Sequence, residues 1–232
     1  MRVSEGVADE YDRGRRRESV GFWAKETARL ANLHGGSLVL DLGCGTGIYT
    51  LAVGLGASAF TCGIDPAVAM LAQARAKSRV TPWIVAVGEE IPIRPGVFDC
   101  IFSSQVWHHL ADGRRTAKEC FRVLKPGGAL VIRTISHEQL RRRVVFRYFP
   151  EGLAHTLEAY PSEDDFNRYF EDAGFHSTEH LSYTLERYQP ASELVEIAMK
   201  GLWSMFRNIT SEGLQRGIAR LRQHDRENQS WK

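Results

Sequence analysis

A glycine-rich segment that follows a short apolar run places the tightest constraint on what this chain can fold into. Residues 39–47 read VLDLGCGTG, a pattern that predicts a buried strand, a tight turn and then a helix over residues 46–54. Gly43, Gly45 and Gly47 permit positive φ angles and a close approach of a ligand to the backbone. Ile48 stands where the dinucleotide-binding pattern G-x-G-x-x-G requires its last glycine. The segment therefore predicts a ligand-binding turn of another kind, although taken alone it could be purely structural.

Apolar runs that predict strands alternate with helical patterns over the first 135 residues. Strands are expected at residues 37–42, 59–64, 82–87, 98–103 and 129–135, and helices at 19–33, 46–54, 66–77 and 114–124. Such alternation predicts βαβ units with right-handed crossovers, so the expected fold class is α/β with a doubly wound, mostly parallel sheet. Ligands bind such sheets outside the carboxyl ends of the strands, where residues 43–47, Asp65, Gly88 and Ser104 fall.

Asp65 ends the second predicted strand. A carboxylate at this position can accept hydrogen bonds from both hydroxyls of a ribose. It could also cap the helix that follows, in which Pro66 is expected to be the first residue. The two roles are compatible, because the side chain can serve a ligand while the chain turns into the helix.

Composition excludes several classes of protein. A chain of 232 residues with 43% hydrophobic residues can bury the core of an α/β domain without disulfide or metal staples. Its formal net charge of +2 creates no field that favours nucleic acid. The four cysteines match no zinc spacing and lie in apolar stretches, as free thiols do in a reducing compartment. We therefore expect a cytoplasmic protein with no metal site, no leader sequence and no membrane span.

Four segments in a fixed order carry a resemblance to a known family, namely VLDLGCGTG, GIDPAVAML, EEIPIRPGVFDCIFSSQVWHHL and RVLKPGG. Together they resemble the class I S-adenosylmethionine-dependent methyltransferases, and most of all the small-molecule branch related to the ubiquinone and menaquinone methyltransferases. The resemblance covers residues 11–135, and YDRGR at its start is similar to the family's segment that folds over the cofactor. It implies a Rossmann-like methyltransferase fold, S-adenosylmethionine as cofactor and S-adenosylhomocysteine as product.

The resemblance also implies which residues hold the methionine end of the cofactor. The glycine loop would hold the methionine part, and an aspartate in the preceding strand would organise the loop through its N–H groups. Two residues after the fourth strand would lie beside the same end, and two in the N-terminal segment would reach the methionine carboxylate. In chain order these residues are Tyr11, Arg15, Asp41, Gly43, Gly45, Gly47, Ser104 and Gln105.

A second group of residues is implied to hold the adenosine end. It consists of Asp65 for the ribose hydroxyls, Pro66 and Met70 near the adenosine, and Gly88 and Glu89 at the adenine edge. The family often has an aspartate followed by an alanine in this last segment, whereas this chain has Val87 and Gly88. The adenine amino group would then meet either the Glu89 carboxylate or a backbone carbonyl.

The pattern changes after residue 135. Residues 136–160 mix arginines with aromatic residues and are expected to form a helical lid insert after strand five. The arginines could bind an anionic acceptor, or they could form the solvated face of a helix. We expect a single methyltransferase domain over residues 1–232, with residues 188–223 as a C-terminal helical extension.

Further elements are expected in the C-terminal part. The patterns predict helices at residues 163–173, 192–207 and 211–222, and a sixth strand at residues 177–187. The family's sheet ends in a hairpin of strands six and seven, but no segment here predicts the seventh. Either the chain is truncated before that strand or the sheet is completed in another way.

Two adjacent histidines are the candidates for catalysis. Methyl transfer requires a nucleophile in line with the S–CH₃ bond, and a hydroxyl acceptor benefits from a general base. His108 and His109 follow the fourth strand at the expected mouth of the pocket, and imidazole has a suitable pKa. Either ring could instead only cap or pack.

These features predict S-adenosylmethionine-dependent methyl transfer to a small-molecule acceptor. Two alternatives stay open: a tRNA or protein methyltransferase, and a non-catalytic cofactor-binding protein that serves an interaction. Nucleic acid is not the expected partner, because the net charge is nearly neutral. The two C-terminal helices could form a homodimer interface.

Overall fold

The chain folds into two compact units, each with its own hydrophobic core. The computed structural model describes residues 17–184 and 189–228. One unit, called here the α/β unit, comprises the described residues up to 134 together with residues 165–176. The other, called the helical unit, comprises residues 135–164 and those from 177 onward.

The α/β unit is built on a five-stranded sheet in which every strand is parallel to its neighbours. In spatial order the strands are β3 (Trp83–Ile84), β2 (Phe60–Ile64), β1 (Leu38–Leu42), β4 (Phe98–Ser104) and β5 (Leu124–Arg133). Its helices are α1 (Arg17–Leu30), α2 (Ile48–Ala57), α3 (Val68–Lys77), α4 (Gly113–Val123) and most of α8 (Glu163–Ala173). The strand order reverses between β1 and β4, so a crevice is expected at the carboxyl ends of these two strands.

Both faces of the sheet are buried, as the continuous apolar runs of the central strands require. Successive side chains of a strand point to opposite faces. Val39 of β1 and Phe102 of β4 therefore join a core with α1 and α2, while Leu40 and Ile101 join a core with α4 on the other face. The predicted doubly wound α/β architecture is confirmed.

Three predicted boundaries in this unit are wrong, each for a local reason. Only Trp83–Ile84 of the predicted strand 82–87 pairs with β2, and Val85 and Val87 beyond them are about half exposed. Helix α3 begins at Val68 rather than Pro66, because the Asp65 carboxylate first accepts the Ala67 N–H and forms a turn. Residues 125–128, predicted as a turn, lie within β5. There the pairing jumps from Phe98–Leu124 to Cys100–Ala129, so the extra residues form a bulge.

The helical unit consists of short helices around a core of large apolar side chains. Its helices are α5 (His137–Arg142), α6 (Val145–Tyr148), α7 (Glu151–Ala159), α9 (Ala191–Met199) and α10 (Ser211–Asn228), with a 3₁₀-helix at Ser204–Asn208. Leu140, Phe149, Leu194 and Leu221 are at most 1% exposed and belong to the same core. Residues 136–160 are thus helical as predicted, and their action as a lid stays a prediction.

The predicted sixth strand is wrong over the residues that the structure describes. Residues 177–184 have no regular secondary structure and are almost all exposed, and residues 185–188 lie outside the described part of the chain. Alternation of apolar and polar residues indicates a strand only where a neighbouring strand can pair with it. The helix predicted at 192–207 also ends early, at Met199, shortly before Gly201 adopts a φ of 60°.

Candidate active site

The glycine loop between β1 and α2 has the backbone that its sequence predicts. Gly43, Gly45 and Gly47 have φ angles of 71°, 54° and 76°, a region that side chains with a Cβ rarely adopt. The N–H groups of Gly43 and Cys44 both donate to the carbonyl of Ile64 at the end of β2, at 2.8 and 3.0 Å. A Cβ on Gly47 would collide with the indole ring of Trp83. The loop is therefore held tightly against β2 and β3, and glycine is required for both conformational and steric reasons.

Asp65 ties this loop to the start of α3. Its Oδ2 accepts a hydrogen bond from the Gly45 N–H at 2.9 Å, and its Oδ1 accepts one from the Ala67 N–H at 2.8 Å. Each carboxylate oxygen retains a second lone pair for another donor. Burial raises the pKa of Asp65 above its ordinary value, although the two backbone hydrogen bonds oppose this shift. The N-cap residue of α3 is Ala67, so Asp65 caps the turn before the helix rather than the helix itself.

Asp41 anchors the loop from within the sheet. Its Oδ2 accepts a hydrogen bond from the hydroxyl of Thr50 at 2.6 Å, and both side chains are buried. The bond joins the end of β1 to the first turn of α2, so it fixes the two ends of the glycine loop. Its direct part in ligand binding stays a prediction.

The segment that contains Gly88 and Glu89 lies against the N-terminal end of α4. Gly88 is buried, and a Cβ there would come within 3.0 Å of the methyl group of Thr116. The Glu89 Oε1 accepts hydrogen bonds from the N–H groups of Ala111 and Asp112, at 2.8 and 3.1 Å. These bonds hold Glu89 against the residues that precede α4. The group that meets the adenine, a backbone carbonyl or the Glu89 carboxylate, stays a prediction.

An ion pair on α4 holds the residues that follow this segment. Glu119 accepts a hydrogen bond from the Ile91 N–H at 2.8 Å, and Arg122 donates to the carbonyls of Ile91 and Ile93. Arg122 and Glu119 also bond to each other at 2.7 Å, and these bonds hold the pKa of Glu119 below its ordinary value. This clamp of Glu119 and Arg122 on the backbone of Ile91 and Ile93 was not predicted from the sequence. The spacing of three residues on a predicted helix was the only signal for the pair, and it does not indicate the backbone contacts.

At the end of β4 the chain adopts a strained conformation. Gln105 has a φ of 60°, which is uncommon for a residue other than glycine, and its N–H donates to the carbonyl of Arg133 at 2.9 Å. The hydroxyl of Ser104 accepts a hydrogen bond from Arg133 at 2.9 Å. Strain of this kind collects at functional sites and persists only where the surroundings enforce it. Arg133 was not among the residues predicted from the sequence.

The two histidines lie in a 3₁₀-helix that follows β4, Trp107–His109, and their environments differ. Their ring centroids are 3.9 Å apart. His108 is half-buried, while His109 is exposed. Burial, with a smaller contribution from the charge of His109, lowers the pKa of His108 to about 3. His108 is therefore neutral over the whole physiological range and is a weak base.

The remaining predicted residues fall in different places. Pro66 is exposed, and Met70 on α3 is 5% exposed. Tyr11 and Arg15 lie outside the described residues. No group of three or more histidine, cysteine or acidic side chains in the described part of the chain could hold a metal ion. Nor does any described helix have the length and apolar character needed to cross a membrane.

A family model described as a methyltransferase domain matches residues 40–132, which run from β1 to β5. The chain is 30% identical over 202 residues to the 2-phytyl-1,4-naphtoquinone methyltransferase of Thermosynechococcus vestitus, a match that covers 76% of this chain and 90% of that protein. It is 32% identical over 160 residues to the tRNA (carboxymethyluridine(34)-5-O)-methyltransferase of Arabidopsis thaliana, covering 68% of this chain and 37% of that protein. Across four curated relatives that it matches, the chain spans only 30–56% of their length.

Solved structures agree on the fold. A crystal structure from Anabaena variabilis, described as a methyltransferase from an antibiotic biosynthesis pathway, superposes with a TM-score of 0.74 at 20% identity. The superposition covers 90% of this chain and 87% of that one. The glycine loop and Asp65 lie near the switch point of the sheet. The match to the naphthoquinone methyltransferase extends over 90% of that protein, and this match establishes the family. The chain belongs to the class I S-adenosylmethionine-dependent methyltransferases.

Proposed function

We propose that this protein transfers the methyl group of S-adenosylmethionine to a small-molecule acceptor and leaves S-adenosylhomocysteine. The observation that carries the proposal is the bond from Asp65 to the Gly45 N–H, which fixes a carboxylate against a positive-φ glycine loop at the switch point. A ligand with a ribose and a polar tail fits such a site, because the carboxylate accepts from hydroxyls while the glycines expose backbone N–H groups.

The residues present suit this cofactor from one end to the other. Asp65 would hold the ribose hydroxyls, and the backbone at Gly88 would meet the adenine. The loop of Gly43, Gly45 and Gly47 would hold the methionine part, beside Ser104. When it is bound, S-adenosylmethionine supplies a methyl group already activated by a sulfonium. The chain therefore needs chiefly to orient the acceptor and exclude water, and orientation alone can supply about 7–11 kcal/mol of a barrier.

A hydroxyl or amine acceptor must also lose a proton. We propose that His109 receives it, because the ring is exposed at the carboxyl end of β4 and can be reached by an acceptor. His108, with its pKa of about 3, would instead act as a neutral neighbour that fixes the ring of His109. The proposal thus gives the two histidines different roles, whereas the sequence offered both as equal candidates for the general base.

The relatives support a small molecule as the acceptor. Proteins named as demethylmenaquinone methyltransferases, from Corynebacterium urealyticum and Mycolicibacterium paratuberculosis, are 32% and 30% identical to this chain, and each match covers 71% of the relative. The relative named as a tRNA methyltransferase favours a second candidate, methylation of tRNA. The net charge of +2 weighs against that candidate, since binding of nucleic acid depends on contacts between cations and phosphates.

Transfer of a labelled methyl group tests the proposal. The protein would be incubated with S-adenosylmethionine labelled on its methyl group and a bacterial extract that contains small molecules, RNA and protein. We expect label in the small-molecule fraction, and much less with His109→Gln than with the control His155→Gln, which changes an exposed histidine of the helical unit. Label only in RNA or only in protein would replace the proposed acceptor class, and no transfer to any fraction would refute the enzymatic proposal.

A further inference from the structure

Residues 106–112, called here the histidine turn, connect the end of β4 to the beginning of α4 and contain His108 and His109. The turn begins at Val106, the N-cap residue of the 3₁₀-helix, and ends at Asp112, the N-cap residue of α4. Within the turn, the His109 N–H donates to the carbonyl of Val106 at 2.7 Å. The position of His109 therefore depends on the contacts that hold the two ends of the turn.

The start of the histidine turn packs against the glycine loop. A Cβ added to Gly43 would lie 2.4 and 2.8 Å from the two methyl carbons of Val106, well inside ordinary contact distance. The Val106 side chain thus lies directly beside the backbone of Gly43. Because close-packed groups transmit a displacement, a shift of the glycine loop moves the start of the turn. This loop is the one proposed to hold the methionine part of the cofactor.

The end of the histidine turn is held by the segment of Gly88 and Glu89. A Cβ on Gly88 would lie 3.2 Å from a methyl carbon of Leu110. The Glu89 Oε1 accepts hydrogen bonds from the N–H groups of Ala111 and Asp112, at 2.8 and 3.1 Å. A carboxylate makes stronger hydrogen bonds to backbone N–H groups than a neutral acceptor does. The segment proposed to meet the adenine therefore fixes the other end of the turn.

Both ends of the histidine turn are thus held by segments proposed to contact the cofactor, one for each end of that ligand. Methyl transfer depends on accurate alignment, and a misplacement of about 1 Å can lower a rate by about 100-fold. We propose that Val106 and Glu89 are positioning residues, through which the cofactor-binding segments place the His109 ring for the acceptor. The inference rests on the proposed function and adds to it a coupling between the cofactor and the acceptor side. In this role Glu89 acts on the turn and not on the adenine.

The test compares variants of the full-length protein at these two positions. Glu89→Ala removes the acceptor of two backbone N–H groups, whereas Glu89→Gln keeps an acceptor oxygen in the same place. Val106→Ala removes the contact with Gly43. Glu90→Ala is the matched control for Glu89, because it changes the adjacent, exposed carboxylate. Val97→Ala is the control for Val106, since it shortens another half-buried valine, just before the amino end of β4.

Three measurements are made on each protein. Calorimetry gives the affinity for S-adenosylhomocysteine. Hydrogen exchange, followed by mass spectrometry on the peptide that covers residues 106–112, is recorded with and without S-adenosylhomocysteine and needs no acceptor. The initial rate of methyl transfer from saturating labelled S-adenosylmethionine to the small-molecule fraction of a bacterial extract reports on catalysis.

We expect S-adenosylhomocysteine to slow amide exchange in residues 106–112 of the wild type and of both controls. Glu89→Ala and Val106→Ala should bind this ligand with similar affinity but show less slowing, and they should transfer the methyl group about 10- to 100-fold more slowly. Glu89→Gln should recover most of the rate. A lower rate with an unchanged cofactor affinity, restored by the conservative variant, is a pattern that a general loss of stability would not give.

Three results would overturn the inference. Much weaker binding of S-adenosylhomocysteine by Glu89→Ala would assign this carboxylate to the adenine. Unchanged exchange of residues 106–112 when the ligand binds the wild type would show that the cofactor and the turn are not coupled. Full transfer rates in both Glu89→Ala and Val106→Ala would remove these residues from positioning. Absence of methyl transfer by the wild type would instead contradict the proposed function, while the exchange measurement would still decide whether the coupling exists.

Discussion

Burial separates two histidines that are adjacent in the sequence and equivalent in pattern. His108 is half-buried, and desolvation lowers its pKa to about 3, whereas His109 is exposed on the same 3₁₀-helix. A residue's protonation state depends on its desolvation and its neighbours. The sequence could therefore identify the pair as a candidate but could not divide the roles of its members.

The lowered pKa of His108 predicts a pH dependence of stability. The unfolded chain takes up a proton near the ordinary value of 6.5, while the folded chain does so only near 3. The contribution of His108 to stability is therefore complete above pH 6.5 and is lost as the pH falls toward 3. When the pH is lowered from 7 to 5, we expect the Tm of His108→Gln to fall less than the Tm of the wild type. The exposed-site control His155→Gln should behave as the wild type, and equal losses in all three proteins would contradict the assignment.

Gly47 and Gly96 form a matched pair for testing the steric requirement of the loop. Both have positive φ angles, of 76° and 68°, but a Cβ on Gly47 would strike Trp83, whereas one on Gly96 would meet nothing within 4 Å. Gly96→Ala should cost about 1–2 kcal/mol of unfolding free energy through the backbone alone. Gly47→Ala should cost more and should also abolish cofactor binding. Denaturant unfolding of both variants measures the difference. Equal losses of unfolding free energy would show that the Trp83 ring moves aside without a measurable penalty.

At the scale of elements, the clamp on α4 connects fold and site. Arg122 and Glu119 hold the backbone at Ile91 and Ile93, just after the segment of Gly88. Local sequence signals predicted α4 and the segment separately. Their contact joins residues about 30 positions apart in the chain, and only the folded structure brings them together.

Removal of the clamp should affect both stability and the cofactor. Arg122→Met removes the donor of two carbonyls and leaves the Glu119 carboxylate with the Ile91 N–H from the bonds described above, at an expected cost of about 1–3 kcal/mol of unfolding free energy. The affinity for S-adenosylmethionine should fall as well, because the segment proposed to contact the adenine loosens. Lys118→Met, at an exposed position of the same helix, is the control and should change neither quantity. If Arg122→Met loses stability but keeps full affinity, the clamp does not support the adenine edge.

The elements predicted best are those with the clearest burial pattern. β1, β2 and β4 begin and end within one residue of their predicted bounds, because each is a short apolar run. β1 and β4 are buried on both faces over most of their length, and β2 is buried only at its carboxyl end. The segment 177–187 shows the opposite case. Its alternation predicted a strand, but residues 177–184 have no strand partner and no regular structure. Pairing is a property of the whole sheet, so a single segment cannot reveal whether its partner exists.

At the scale of the whole molecule, the contact between the glycine loop and Asp65 could be predicted from the sequence, whereas the surroundings of Arg133 could not. The glycine loop and Asp65 carry strong local patterns and come together as the topology requires. Arg133, Tyr49 and Trp23 are far apart in the sequence and belong to no motif, and only the three-dimensional fold gathers them. The division into two units was also not evident, since local patterns do not show which helices share a core.

The charge balance of the molecule predicts weak, non-specific contact with RNA. A formal net charge of +2 gives the molecule no strong overall positive field, and affinity for nucleic acid increases with the number of phosphates neutralised. We expect transfer RNA to bind only weakly near physiological salt, with a shallow dependence on salt concentration. Fluorescence anisotropy over a range of salt measures this. Tight binding with a steep salt slope would revive tRNA as the acceptor.

Asp65 is the carboxylate proposed to hold the ribose of the cofactor, and the proposed function depends on it above all. The most direct test is calorimetric titration of S-adenosylmethionine and S-adenosylhomocysteine into the wild type, Asp65→Asn and Asp99→Asn. Asp99 is the matched control. Its carboxylate also accepts a hydrogen bond from a backbone N–H, that of Leu38, but it lies at the amino ends of β1 and β4, away from the carboxyl ends where Asp65 lies. We predict that both ligands bind the wild type and Asp99→Asn with similar affinity and bind Asp65→Asn far more weakly. Equal binding to all three proteins, or no binding by a folded wild type, would contradict the account.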